Sequence, residues 1–217
     1  MPESTGPDVN TLLLTQWLTP AFPTGAFAYS HGLEAALRSG AVADAPALEH
    51  WLADVLRFGA GWQDAVLLAA GLRPGADLDA LDAQSRALQP AAERLRETAD
   101  QGAAFARMVS QVTGRPLPPR PLPLAVAEAV RPLGAEPTQV IALYLQGFVT
   151  NLATVAMRAM PLGQGEGHAV LARLWPLVAD LADHAAGATL EDLGTAAFGA
   201  DMAAMEHETL DVRIYRT

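Results

Sequence analysis

The chain has 217 residues, a formal net charge of −10 and an apolar share of 51%, enough for one sizeable hydrophobic core. Its 14 basic residues are all Arg, which excludes a phosphate-loop lysine, a Schiff-base lysine and a lysine general base, and the acidic balance would repel a polyanion, so no nucleic-acid partner is expected. With no Cys there are no disulfides or thiolate metal sites, and residues 1–6 lack the charged and apolar regions of a signal peptide, so a cytoplasmic location is expected.

Ala and Leu dominate the apolar residues and β-branched residues are few, which favours helices. The expected fold is all-α: a flexible segment at 1–9, one helical domain at 10–206 and an extended tail at 207–217. Residues 11–18 form a first helix whose Leu12, Leu13, Leu14, Trp17 and Leu18 make an apolar surface too broad to stay uncovered. Pro20, Pro23 and Gly25 then fix a turn. Beyond it Phe27, Tyr29 and Leu33 start an amphipathic helix predicted over 26–38, carrying Ser30, His31 and Glu34 among small residues and closed by Gly40. Asp44 and Pro46 open a third helix with Trp51, Leu52, Val55 and Leu56 at helical spacing. A fourth is predicted over 62–72, after the Gly59-Ala-Gly61 break.

Helices follow at 77–88 and 91–112. In the longer one Arg94, Arg96, Glu97, Asp100, Gln101 and Arg107 read as a solvated face on which Glu97 can pair with Arg94 or lie near Gln101, with Leu95, Ala99, Gly102, Ala103 and Ala106 on another face. Residues 113–123 hold five prolines in a stiff loop within the one domain. A short helix at 124–130 leads to a central one beginning near Pro137. Its apolar run, 140–160, is about long enough to span a bilayer, but Gln146, Asn151, Thr154 and Arg158 interrupt it, so a buried core helix is expected and no membrane partner. Gln146 and Thr150 are expected to be buried there and to bond a neighbouring helix. Residues 160–167 are Gly-rich but lack a following Lys-Ser/Thr and a preceding strand, so they read as a turn between helices. Helices at 168–186 and 195–205 complete the domain. In the tail, Leu210, Val212 and Ile214 alternate with Asp211, Arg213 and Tyr215, the pattern of an extended strand with no mate in its own chain.

The candidate chemistry is sparse. Ala28-Tyr-Ser-His-Gly32 imitates the elbow of a serine hydrolase, yet no buried strand precedes it, and Ser30 and His31 point about 100° apart on a helix. His207, Glu208 and Asp211 fall one histidine short of a zinc-binding helix motif, and the pairs His184–Asp180 and His50–Asp54 offer two ligands each, too few for a closed site. No catalytic, cofactor or metal residue is therefore assigned. The tail is the stronger functional candidate, because an apolar strand with Arg213 and Arg216 can add main-chain bonds and bidentate carboxylate contacts on docking to another protein.

Three stretches resemble the urease accessory proteins of the UreF family. The first is 20–34, with Pro23, Gly25, Phe27, Tyr29, Ser30, Gly32 and Glu34. The second is 148–167, with Asn151, Arg158, Pro161, Gly163 and Gln164. The third is 207–216, with His207, Glu208, Thr209, Arg213 and Arg216, while Leu210 and Asp211 depart from the family pattern. Arg96, Glu97, Thr98 and Gly102 add a weaker match. The resemblance implies a commonly dimeric, non-enzymatic helical protein that pairs with UreD (UreH), recruits the GTPase UreG and helps mature apo-urease, nickel being handled by the complex. On that basis the first two helices and the tail, Tyr215 included, are expected to form the UreD-facing surface, with Arg213 the foremost residue for recruiting the GTPase. Two alternatives are a helical hydrolase using Ser30 and a helical scaffold that has lost its urease partners.

Overall fold

The computed structural model describes residues 9–217, so the expected flexible segment 1–9 lies outside the described residues except for Val9. All regular structure among the described residues is helical. Helix α1 (Val9–Trp17) is followed by a 3-10 turn at Ala26–Ala28, then α2 (Leu33–Ser39), α3 (Ala45–Phe58) and α4 (Ala60–Leu72). Next come α5 (Leu78–Ala87), α6 (Ala92–Thr113) and α7 (Leu122–Val130). The last three are α8 (Pro137–Ala159), α9 (Gln164–Gly187) and α10 (Phe198–His207).

Local chemistry explains most of the boundaries. The Asp44 carboxylate accepts a hydrogen bond from the Ala47 amide at 2.8 Å, and Pro46 occupies the first turn of α3, where no amide donor is missed. Asp77 caps α5 in the same way, accepting from Asp79 and Ala80. Gly40 ends α2 and Gly114 ends α6, both in the left-handed conformation that side chains resist.

Helix α8 runs through the middle of the bundle, packed against α9, α4, α3, α2 and α1. Its buried stripe is Val140, Ile141, Tyr144, Leu145, Val149, Leu152, Ala153, Val155 and Ala156. Although α8 is long and apolar enough to cross a bilayer by composition, here it is the core helix. Each fully buried Leu in such a stripe contributes roughly 1.5–3 kcal/mol. Helix α6 packs on α7, and the Pro-rich loop joining them crosses α6 at Gly102, where a Cβ would lie 1.9 Å from the Arg120 carbonyl oxygen.

Three expectations fail. The helix predicted over 26–38 is broken: His31 (φ 58°) and Gly32 (φ 78°) are both left-handed, so the chain turns between the 3-10 turn and α2. The turn lets α10 cross so closely that a Cβ on Gly32 would lie 2.8 Å from the Ala204 amide nitrogen. Gln146 faces solvent rather than the core, because the apolar stripe of α8 is one residue out of phase with it. On α6 the face read as solvated is only half so: Arg96, Asp100 and Arg107 are exposed, but Arg94, Glu97 and Gln101 are 5–6% exposed, in line with Thr98, Gly102, Phe105, Ala106 and Val109.

Candidate functional site

The left-handed turn at His31 and Gly32, the N-terminal half of α6 and the end of α10 meet around three buried carboxylates, and the C-terminal tail closes over them. Glu34 stands in the first turn of α2 and is 3% exposed. Its carboxylate accepts hydrogen bonds from the amides of Ile214 (3.0 Å) and Tyr215 (2.9 Å), lies 3.2 Å from His207 Nε2, and pairs with Arg38 at 3.0 Å. Burial pushes this carboxyl up, but the Tyr215 and Ile214 amides and the His207 ring outweigh it and hold Glu34 below the usual carboxylate range.

Glu93 faces the other nitrogen of the same ring, with His207 Nδ1 at 2.7 Å, and also pairs with Arg213. Glu208, just beyond α10, accepts from the Glu93 amide at 2.9 Å and so ties the start of the tail to the start of α6.

Glu97 completes the set. It pairs with Arg94, accepts from the Thr217 hydroxyl at 2.6 Å and from Gln101 Nε2 at 3.1 Å, and stands 3.6 Å from His31 Nδ1. Burial alone would raise its pKa, yet the charge of Arg94 with the His31 and Thr217 contacts brings it down to about 2. His31 moves down from its ordinary value because burial and the Arg94 charge disfavour its cationic form. Its ring meets Phe148 edge-on at 5.1 Å.

The tail itself is therefore not a strand without a mate. The Ser30 amide and hydroxyl both donate to the Thr217 carbonyl, and the Arg216 amide donates to the Ala28 carbonyl at 2.8 Å. Tyr215 and Thr217 are buried, while Val212 and Ile214 are 68% and 74% exposed. The alternating strand read from the sequence is not formed: residues 211–214 are all exposed, Leu210 packs against the core, and only 214–217 alternate between exposed and buried. Arg216 lies 5.9 Å over the Tyr29 ring, whose hydroxyl donates to Asp100 at 3.0 Å, and Arg158 lies 5.6 Å over the Tyr215 ring.

The other residues singled out in the sequence divide into two groups. Asn151 Nδ2 donates to the Ala26 carbonyl at 3.0 Å and Arg158 to the Phe27 carbonyl at 3.1 Å, so α8 holds the loop that begins with left-handed Gly25. Gly163 caps α9, its amide donating to Glu166 at 3.3 Å, and Gln164 opens that helix. Pro23, Pro161, Phe27, Glu208, Thr209, Arg213 and Arg216 are exposed, whereas Tyr29, Ser30, Gly32, Glu34 and His207 are buried beneath or beside the tail. Ser30 is wholly buried, and its hydroxyl accepts from the Glu34 amide besides donating to Thr217.

The roles of Glu93 and His31, and the burial of the Arg94–Glu97 pair, were missed in the sequence. Continuing the Phe105–Val109 stripe backward in steps of three and four arrives at Gln101, Glu97 and Arg94, and that was the available signal. No group of three or more His, Asp or Glu side chains among the described residues converges as metal ligands would. Around the tail an open cleft of about 400 Å³ is lined by Tyr29, Glu93, Arg96, Asp100, Arg213, Tyr215 and Arg216. Its three guanidinium groups share the cleft with the Glu93 and Asp100 carboxylates, and Arg213 pairs with Glu93.

Comparison with known proteins identifies the family. The UreF family model matches residues 42–175. The chain is 58% identical over 206 residues to the urease accessory protein UreF of Cereibacter sphaeroides, covering 95% of this chain and 98% of that protein. It is 49% identical over 211 residues to the UreF of Paracoccus denitrificans (97% and 98% covered) and 46% identical over 206 residues to that of a Jannaschia species (95% and 94%). The signature turn, the polar face of α6 and the docked tail thus lie within a chain that belongs to the UreF family of urease accessory proteins.

Proposed function

We propose that the chain is a non-enzymatic adaptor that bridges UreD (UreH) and the GTPase UreG on apo-urease, so that the nickel centre is assembled with nickel handled by the partner proteins. The observation that carries this reading is the docked tail: its inner side is fixed by buried carboxylates, while Arg213, Ile214 and Arg216 face outward beside the exposed Phe27. A fixed backbone offering two arginines and an apolar side chain suits recognition by a partner carrying carboxylates. The exposed Phe198, Met202 and Met205, spaced along one face of α10, and Val9 and Leu12 on α1 supply further apolar contact surface. A homodimer acting in the cytoplasm accords with this role.

Co-purification tests the reading. Removing residues 208–217 is expected to abolish capture of UreG while the helical content stays unchanged. Retention of both UreD and UreG by the shortened chain would contradict it.

A further inference from the structure

From the geometry of Glu34 we infer that this side chain is the positioning residue of the tail. At 3% exposure it offers almost no surface to a partner, yet it sets the backbone on which Arg213, Ile214 and Arg216 are displayed. The inference rests on the tail-docking reading above and specifies how the docking surface is made.

One carboxylate receives two consecutive amides, Ile214 and Tyr215, at 2.9–3.1 Å. Consecutive amides converging on one anion form a concave backbone nest, here filled by a side chain from 180 residues earlier in the chain. The nest lies between the outward residues, so its occupant fixes the direction in which each points. All the groups facing Glu34 are donors: Arg38 from its own helix, His207 from α10 and the two amides from the tail. The Ser30 hydroxyl accepts from the Glu34 amide while donating to the Thr217 carbonyl, which couples the same turn of α2 to the end of the tail.

Glu34→Gln is the informative change. It keeps size and shape but leaves one acceptor oxygen, and it turns an NH2 group toward donors that lose their partner. Loss of charge-assisted hydrogen bonds here should speed hydrogen exchange at the Ile214 and Tyr215 amides about tenfold or more. Capture of UreG should fall to a similar extent, with capture of UreD and the far-ultraviolet helix signal unchanged. The intact chain supplies an independent measurement, in which the amides of residues 214–216 should exchange slowly. Rapid exchange there, or unchanged protection in Glu34→Gln, would overturn the inference while leaving the adaptor role standing. If protection were lost but UreG were still captured, and only deletion of 208–217 abolished capture, the tail would act without being positioned and the inference would again fail. If neither change affected capture, the adaptor reading itself would fail and the inference with it.

Discussion

The core around α8 and the seam beneath the tail are both buried, but different forces hold them. In the core, Leu145, Val149 and Leu152 meet apolar neighbours, and area removed from water carries the stability. In the seam, Glu34, Glu93 and Glu97 are matched by His207, Arg94, Arg213 and main-chain amides. Such contacts gain little over a well-packed apolar alternative, yet breaking one partner is costly, because the other charge is left buried. The seam therefore gives the tail a defined path without adding greatly to the stability of the fold.

This contrast can be tested by mutation. Arg94→Met should destabilise the chain by about 3–5 kcal/mol in denaturant unfolding, as it leaves Glu97 short of its main counter-charge. Adding Glu97→Leu should recover at least half of that loss, since the orphaned charge is then gone. No second substitution should rescue Leu145→Ala in this way, where about 2–5 kcal/mol is lost through transfer and cavity terms. If the Arg94 and Glu97 effects simply added, the seam would be an ordinary part of the core.

A smaller effect concerns pH. Asp64, buried on α4, takes a hydrogen bond of 2.6 Å from Tyr144 on α8, and burial raises it to about 6 from an ordinary 3.8. Its raised value means that its protonated form favours folding, a contribution complete below pH 3.8 and lost as pH rises through about 6. Glu97 has the opposite sign. Depressed to about 2 from 4.5, it favours folding above pH 4.5 and loses that contribution as pH falls toward 2. Asp64→Asn should thus raise stability at pH 8 by about 3 kcal/mol and remove the decline between pH 4 and 7. A parallel decline in variant and parent would refute this assignment.

The mildest variant is Ile214→Ser. With 74% of Ile214 exposed, stability should move by less than about 0.5 kcal/mol, while capture of UreG weakens measurably. Equal capture would remove Ile214 from the docking surface.

How far the sequence revealed these two regions follows from the same contrast. Helices α3, α6, α8 and α9 were legible because caps and apolar spacing are local signals, and the buried stripe of α8 follows from Val140, Leu145, Val149 and Leu152. The seam was not legible, since Arg94 and Glu97 look solvated until His31 and Thr217, far away in the chain, are brought against them. The helix predicted across Ser30 failed because nothing in local propensity marks His31 as left-handed. The tail was misread as one alternating strand: Leu210, Val212 and Ile214 drew attention as an apolar face, whereas Leu210 packs on the core, residues 211–214 are exposed, and Tyr215 and Thr217 go inward. The turn made by Gly25 and the clustering of Tyr29, Ser30 and Glu34 were visible as a motif. Their burial under the tail was not.

The most direct measurement is activation of apo-urease by nickel, GTP, UreD and UreG, with the full chain, with the chain lacking residues 208–217, and with neither. The tail-display account predicts that the shortened chain gives no more urease activity than its omission, despite an intact helical fold. Full activation by the shortened chain would contradict it.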